Sequence, residues 1–456
     1  MSQLIEKLSI YCNYIVYYRI FDIPFIVLWL GCAAIFFSIR LGFPNVLLLK
    51  KSIQVLTGKD DKKEDPTSPF KVMISSAAAT IGLGNIAGVA ISIKIGGSGV
   101  LFWIVIFIFL SMSLKCSEII AGHKYRVITP NGFNGGPFYY IKFIFEKFNL
   151  NRIGGFLSFM FTIIMLITPI GLSSFQMNQV VSILTNGLIY HDEILNIHNH
   201  QVLYISIAMS LIVTYILLGG IKTIGLIASK LVPSMVLVYI AICSIVIIKN
   251  IHNLPDVLRD IFSNALNFES FATSGIFMVI IQGMKRALFI TEAGTGTSPI
   301  IHSNSSIKSS AKQGITIFVE GYFILIGVIL TGLVVLITKI DIYSSNLSGI
   351  MLIKMSISSV HSYLGSALMV CAFLFGFTTI MTNGYYSTKS WEFLSHNKYS
   401  KLPLIIYGLC IFYGGVSHAN HIINIADTLF LLATIPNILA LYLMSNQIAK
   451  ELKTIK

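Results

Sequence analysis

The chain alternates between long apolar runs and short polar connections. An apolar run of about 18 residues or more is long enough to cross roughly 30 Å of hydrocarbon as a helix. Backbone amides must be bonded internally in lipid, and the ten-residue alternating segments typical of a β-barrel are missing, so we predict helices. The eleven predicted spans cover residues 20–40, 70–93, 99–121, 154–184, 202–219, 223–248, 271–290, 314–338, 364–387, 402–417 and 426–446.

The order of these spans predicts an internal repeat. Setting the first span aside leaves ten, which divide into five and five. Gly82, Gly84 and Gly88 interrupt the first span of one set, and Gly275 marks the first span of the other. Glycine-interrupted spans at corresponding positions point to an inverted repeat with a binding site at the bilayer midplane.

The predicted fold class is therefore an all-α polytopic membrane protein of about eleven transmembrane helices. One N-terminal helix precedes a 5+5 inverted-repeat transporter core, whose first and sixth helices are broken. We predict four parts: the N-terminal helix and its cytoplasmic loop (1–69), the first repeat (70–250), the second repeat (251–446) and a cytoplasmic tail (447–456).

Composition and charge agree with a membrane protein and set its orientation. Of the 456 residues 55% are hydrophobic and only 11% are charged, while the net charge is +13. On the side that carries the C-terminus, the connections hold 25 of the 32 lysines and arginines. Positive residues accumulate in cytoplasmic loops, so the N-terminus is predicted outside and the C-terminus inside a cell (inner or plasma) membrane. The basic charge thus indicates orientation, and no nucleic-acid partner is predicted.

Several classes of chemistry find no motif in the sequence. The six cysteines form no CxxC pair, which argues against a zinc site or a disulfide framework. GxSxG, HExxH and the Walker lysine are also missing, so neither an enzyme nor an ATP-driven pump is predicted, and no organic cofactor is expected. The first apolar run is too long for the h-region of a signal peptide.

The most informative polar segment covers residues 75–88, in the middle of the second span. A helix that breaks here frees carbonyls that can coordinate a cation and amides that can hold a carboxylate. The neutral oxygens of Thr80 and Asn85 suit Na⁺. The alternative is close helix packing, because Gly84 and Gly88 form a GxxxG pair.

Two further polar pairs lie at membrane depth. The adjacent Thr378 and Thr379 either bond back to their own helix or supply cation ligands. Gln176 and Asn178 either read a zwitterionic ligand or join neighbouring helices.

Four acidic residues, Glu118, Glu292, Glu320 and Asp427, lie near or within spans. Ionisable groups in a membrane are functional candidates by default. Glu118 and Glu292 lie near the inside ends with Lys115 and other basic residues nearby, so we favour a structural or gating pair for them. Glu320 lies deeper and can titrate, bind a cation or couple transport.

The order of the motifs matches a known family. Residues 79–90 resemble the signature of the alanine or glycine:cation symporters, and the resemblance covers roughly residues 20–446. The motifs that follow in family order are residues 96–99, Glu118 with 124–126, 135–141, 285–286, 292–296, 312–314, 378–380 with 385–386, 426–428 and 435–437.

This resemblance implies a leucine-transporter-type fold and Na⁺-driven uptake of alanine, glycine or a related small neutral amino acid. It implies a sodium site made of the Ala78, Ile81 and Phe375 carbonyls and the Thr378 and Thr379 hydroxyls. The substrate residues that it implies are Thr80, Gly82, Gly84 and Asn85 in the broken helix, Gly275 and Ile276 in the partner broken helix, and the polar pair Gln176 and Asn178.

The chain departs from the family pattern mainly on the substrate side. Residues 273–277 hold fewer glycines than the family has there, Ile290 and Thr291 replace a Ser-Asn pair, and Asn383 stands where an aromatic is common. Two alternatives to sodium symport stay open. The same fold can couple to protons through Glu320, or the chain can be a non-transporting membrane sensor or scaffold. The expected partners are an amino acid, Na⁺ and the lipid bilayer, and no oligomeric state is predicted.

Overall fold

The computed structural model describes residues 18–455, with the exception of 21–22, 59–64, 130–131, 186–199, 267–274, 341–348 and 418–419. The described chain is mostly helical (84%). Two short antiparallel hairpins pair β1 (Arg19–Ile20) with β2 (Ile23–Pro24) and β3 (Val127–Thr129) with β4 (Gly132–Asn134).

The helices of the first half include a bent pair, α4 and α5. Pro69 occupies the first turn of α4, and the Ser68 side chain accepts a hydrogen bond from the Lys71 amide, as is usual at a helix N-terminus. The helices of this half are α1 (Phe25–Leu41), α2 (Pro44–Leu47), α3 (Leu49–Thr57), α4 (Pro69–Thr80), α5 (Leu83–Gly96), α6 (Val100–Lys124), α7 (Pro137–Lys147), α8 (Asn151–Leu184), α9 (His200–Leu218) and α10 (Gly220–Lys249).

Asp65 lies outside the spans and fixes the segment that leads into α4. Burial disfavours its charge, but the Thr67 amide and hydroxyl each donate to its carboxylate at 2.8 Å, and the pKa of Asp65 is lowered overall. The start of α4 is thus anchored to a charged carboxylate.

The helices of the second half follow a short 3₁₀ turn (Ile251–Asn253). They are α11 (Leu254–Ala265), α12 (Gly275–Thr291), α13 (Thr297–His302), α14 (Ser310–Ile315), α15 (Ile317–Ile337), α16 (Gly349–Ser358), α17 (Ser362–Leu394), α18 (Leu402–Val416), α19 (Asn420–Leu432) and α20 (Thr434–Lys453).

Seven helical stretches of the described chain are long and apolar enough to cross a membrane, or eight if the bent pair α4–α5 is one span. This confirms an all-α polytopic membrane protein. Each of the eleven predicted spans overlaps a helix or a helix pair, but α1 and α18 are shorter apolar helices, so the number eleven and the inverted repeat stay predictions.

The two longest helices, α8 and α17, pack along each other at the centre of the described bundle. Helix α10 packs on both α4 and α17, and α5 packs against α12, α15 and α16. The junction of α4 and α5 is therefore enclosed by α10, α15 and α17, and its residues are buried.

Candidate binding site at the interrupted helix

The break predicted within the second span lies at Ile81 and Gly82. Helix α4 ends at Thr80, α5 begins at Leu83, and the two are bent by 40°. Ile81 has ψ 79° and Gly82 is extended with ψ −172°, so neither continues the helix. Glycine and threonine are weak helix formers, so the local helix propensity at the break is low.

The end of α4 exposes backbone carbonyls to α17. A helix leaves its last four carbonyls without partners from its own next turn. The Ile81 amide takes the Ala77 carbonyl, and the Thr379 hydroxyl lies 3.2 Å from the Ala78 carbonyl and 3.5 Å from the Ala79 carbonyl. The negative end of the α4 dipole points to the same place, which favours a cation there.

The same hydroxyl also lies 2.9 Å from the Phe375 carbonyl in its own helix. A hydroxyl has one proton, so it donates to one of these carbonyls at a time and keeps lone pairs of its own. The result is a buried cluster of neutral oxygens from α4 and α17. Among the residues that the structure describes, no group of three His, Cys, Asp or Glu side chains is placed to hold a metal ion.

Gly82 makes this approach of the two helices possible. A Cβ at Gly82 would lie 2.7 Å from the Thr379 hydroxyl oxygen, closer than real Cβ contacts come. The adjacent Thr378 differs from Thr379, because its hydroxyl donates at 3.1 Å to Phe375 within α17. Of the predicted threonine pair, only Thr379 reaches across to the broken helix.

A small cavity adjoins the break. It has a volume of about 20 Å³, which is room for about one water molecule. Asn85 and Gly82 line one side, and the hydrogen-bonded pair of Tyr239 and Thr331 (2.6 Å between hydroxyl oxygens) lines the other. An amino acid fits here only after the surrounding helices move apart.

The side chains of Gln176 and Asn178 in α8 do not face the same site. The Asn178 side chain donates at 2.9 Å to the Ser417 carbonyl, which joins α8 to the end of α18. The buried Gln176 Oε1 has no hydrogen-bond partner among the described residues and faces Gly376 of α17. Side chains two residues apart on a helix point in directions about 200° apart, so the two amides contact different neighbours. Gln176 lies near the start of α5, because the Leu83 side chain approaches the same Gly376.

The break predicted at Gly275 and Ile276 stays a prediction. Those residues begin α12, and residues 267–274 before them lie outside the described chain. A second interruption lies at the other end of this helix, since α12 ends at Thr291 and α13 starts at Thr297. Gly294 (φ 84°) and Gly296 (φ 82°) take left-handed conformations that favour glycine, which is why the interruption falls here.

Glu118 holds this second interruption. One of its carboxylate oxygens accepts from the Gly296 amide at 2.9 Å and from the Asn437 side chain at 2.6 Å. Asn437 also donates to the Gly294 carbonyl at 2.8 Å and accepts from the Tyr140 hydroxyl. These contacts favour the structural alternative for Glu118.

Glu292 stays within its own segment, where it accepts from the Thr297 hydroxyl at 2.7 Å. It therefore ties the end of α12 to the start of α13. Lys115 acts on both carboxylates through its charge, so it lies near them as predicted, and its ion pair is with Glu320.

Replacing Asn437 by alanine should destabilise the protein by about 1–3 kcal/mol, because the buried Glu118 carboxylate loses one of its two donors and the Gly294 carbonyl loses its side-chain donor. The measurement is the thermal unfolding midpoint in detergent. Asn446→Ala in the same helix is the matched control, since Asn446 is exposed and bonds to Arg40 at the surface. Equal melting of the two variants would contradict the proposed role of Asn437.

Lys115 pairs with Glu320. The ion pair measures 3.0 Å, and the two side chains are 3% and 0% exposed. The same Glu320 oxygen accepts from the Thr80 hydroxyl at 2.8 Å. Helix α4 is thus tied at its last residue to α15 and, through Glu320, to α6.

Sequence analysis missed Lys115 as a partner of Glu320 and Arg286 as a neighbour of the broken helix. The Arg286 guanidinium donates to the Gly84 carbonyl and occupies the space beside Gly88. A basic residue inside an otherwise apolar span was the available signal for both. The GxxxG pair therefore makes room for a side chain.

A helical membrane bundle with a buried, polar interruption in one of its helices defines the protein as a polytopic membrane transporter. Residues 6–456 match the sequence model of the sodium:alanine symporter family, and the chain belongs to that family. It is thus a transporter of the amino acid:cation symport type and not an enzyme.

Relatives match the chain over nearly its whole length. It is 30% identical to "Probable sodium/glutamine symporter GlnT" of Bacillus subtilis, over 99% of this chain and 91% of that protein. It is 29% identical to "Sodium/alanine symporter AgcS" of Methanococcus maripaludis, over 94% of both. It is also 28% identical to "Amino-acid carrier protein AlsT" of Bacillus subtilis, over 94% of this chain and 88% of that protein.

Proposed function

We propose that this protein is a Na⁺-coupled symporter of a small neutral amino acid that works by alternating access. The observation that carries the proposal is the oxygen cluster at the end of α4, where the Thr379 hydroxyl meets the Ala78 and Phe375 carbonyls. Neutral oxygens at the negative end of a helix suit a monovalent cation. The Ile81 carbonyl and the Thr378 hydroxyl complete the proposed ligand set.

The amino acid is proposed to bind on the other side of the break. The first amides of α5 point toward the interruption and, with the positive end of the helix dipole, can hold a carboxylate. The Asn85 side chain and the unpartnered Gln176 Oε1 supply polar groups next to them. Gly275 and Ile276, at the start of α12, complete the proposed set of substrate residues.

The size of the cavity at the break supports the proposed alternating access. About 20 Å³ is too small for an amino acid, so the site must open by relative movement of α4, α10 and α17. A bound cation that bridges α4 and α17 would stabilise one arrangement of these helices, and this is how ion and substrate binding would be coupled.

The proposed architecture has eleven transmembrane helices, an N-terminal one and two inverted repeats of five. The repeats would cover residues 70–250 and 251–446, preceded by the 1–69 segment and followed by the 447–456 tail. The lysine and arginine distribution supports an N-terminus outside and a C-terminus in the cytoplasm. The host membrane is proposed to be the cell's inner or plasma membrane.

The substrate class is proposed as neutral and the substrate as alanine or glycine. The names of two relatives mention alanine and glutamine, which are both neutral. None of the described residues that line the cavity at the break has a charged side chain, and this supports a substrate without a charged side chain.

Uptake of labelled alanine into proteoliposomes that hold the full-length protein tests the proposal. We expect an inward sodium gradient to drive accumulation and choline in place of sodium to abolish it. Uptake driven by a pH gradient without sodium would replace the proposal by proton coupling, for which Glu320 is the candidate. Binding of alanine without any flux would point to a sensor. Melting of the protein with a panel of amino acids, with and without sodium, identifies the substrate, since a bound ligand stabilises the folded state.

A further inference from the structure

A second polar cavity lies along α5, away from the break. Its volume is about 220 Å³, which is room for several water molecules. One wall is Ser92 of α5, and the other carries Lys285 and Arg286 of α12 and Asp427 of α19. Two cationic groups and one anionic group thus face a single space, and the cavity at the break contains no such set.

One face of α5 connects this cavity with the break. Gly84, Gly88 and Ser92 are spaced by four residues, so they lie in one row along the helix. The row begins two residues beyond the interruption at Gly82 and ends at the cavity. At the two glycines a Cβ would meet the guanidinium of Arg286. Arg286 therefore lies in the row, between the cavity and the break.

The hydrogen bonding of Arg286 is incomplete. One terminal nitrogen donates to the Gly84 carbonyl, while Nε is buried and has no partner among the described residues. Asp427 acts on Arg286 and Lys285 through its charge. A buried guanidinium N–H without an acceptor is costly, so this side chain is ready to take a further acceptor.

We propose that the Ser92–Arg286–Asp427 cavity is a second binding site for the amino-acid zwitterion, with its carboxylate at Arg286 and Lys285 and its ammonium group at Asp427. This inference rests on the proposed function and deepens it. The chemistry that recognises the ligand is the pair of opposite charges at a fixed spacing, which every α-amino acid carries whatever its side chain. Binding here therefore selects amino acids as a class.

The same geometry gives the site a role in access. A carboxylate is a stronger acceptor for a guanidinium than a neutral carbonyl is. A zwitterion in the cavity therefore competes with Gly84 for Arg286 and draws the guanidinium off the glycine row. When the guanidinium has moved, the Gly84 carbonyl and the space beside Gly88 are free, and both lie between the cavity and the break.

The first test is alanine uptake by Asp427→Asn, which keeps the size of the side chain and removes its charge. We expect the half-saturating alanine concentration to rise about tenfold or more, the change expected when a hydrogen bond between charged groups is lost. The sodium dependence of uptake should stay as in the wild type, because the oxygen cluster at Thr379 is untouched. Asp256→Asn in α11 is the control, since Asp256 is exposed and does not line the cavity.

The second test measures occupancy without transport. Ile95 lines the cavity at an exposed position, so an Ile95→Cys variant can be labelled by a charged methanethiosulfonate reagent. Alanine without sodium should slow the labelling several-fold, and adding Asp427→Asn should remove this protection. Unchanged labelling together with an unchanged half-saturating concentration would overturn the second site. Sodium-independent uptake with intact protection would instead refute the proposed coupling and leave the site in place.

Discussion

Replacing Thr379 by valine is expected to raise the sodium concentration needed for half-maximal uptake by at least about tenfold. The change keeps the branched shape and removes the hydroxyl, which is the group that α17 contributes across to the broken helix. Interactions of a charged group with one hydrogen-bonding partner are worth about 1.5–3 kcal/mol, and 1.4 kcal/mol is a factor of ten in affinity. The maximal rate in saturating sodium should change less.

The matched control for this variant is Thr382→Val in the same helix. Thr382 is also buried, but its hydroxyl donates at 2.9 Å to Thr378 within α17 and reaches no other helix. Sodium-dependent stabilisation in detergent should therefore persist in Thr382→Val and be weakened in Thr379→Val. An equal sodium response of both variants would exclude Thr379 as a ligand and move the cation site away from the end of α4.

Thr379→Val can also act through loss of packing. The comparison with Thr382→Val distinguishes this effect from the loss of a sodium ligand. Without sodium, both variants lose a buried hydroxyl and should melt at similar temperatures. Only the ligand role predicts a difference that appears when sodium is added. The sodium response of melting is thus the decisive measurement.

Sequence alone predicted the helices and the first break because both depend on local properties. Apolar runs must be helical in lipid, and each predicted span overlaps a helix. Gly82 lies at the break, where two helices must approach closely, so a glycine there is informative. The short segments α11 and α16 were missed because they lie between spans and carry no long apolar run.

The break at Gly275 stays a prediction, and the interruption between α12 and α13 was not predicted. Left-handed conformations at Gly294 and Gly296 mark this interruption, nineteen residues or more beyond Gly275. The sequence contained that signal, as two glycines separated by one residue beside an acidic residue. Its consequence, a loop held by Glu118 and Asn437, depends on contacts between distant segments, which no local pattern predicts.

Partnerships between distant residues account for the remaining differences. Lys115 was expected near Glu118 and Glu292 and does act on both through its charge, but its ion-pair partner was not predicted. Its partner is Glu320, 205 positions away in the sequence. The partner of a residue in a helix depends on the direction in which its side chain points. The sequence gives the position of a residue along a membrane span, but not the neighbouring helix that its side chain faces.

Replacing Lys115 by methionine is expected to destabilise the protein by about 3–5 kcal/mol, the cost of leaving one buried charge without its partner. Glu320 is fully buried, and its second carboxylate oxygen already has no partner among the described residues. The control is Lys339→Met, because Lys339 pairs with Asp256 at 3.5 Å with both side chains exposed. An exposed pair contributes about 0–1 kcal/mol, so the control should melt almost as the wild type does.

The double variant Lys115→Met/Glu320→Leu decides what the buried pair is for. Apolar replacements of a buried ion pair are often neutral or stabilising, so the stability lost in Lys115→Met should largely return. Thr80, however, loses its acceptor, and the end of α4 is no longer tied to α15. If the pair serves transport, the double variant folds and melts normally but binds sodium more weakly, because Ala78 lies two residues before Thr80 in the same last turn. A double variant with normal stability and normal sodium-driven uptake would mean that the pair serves neither folding nor coupling.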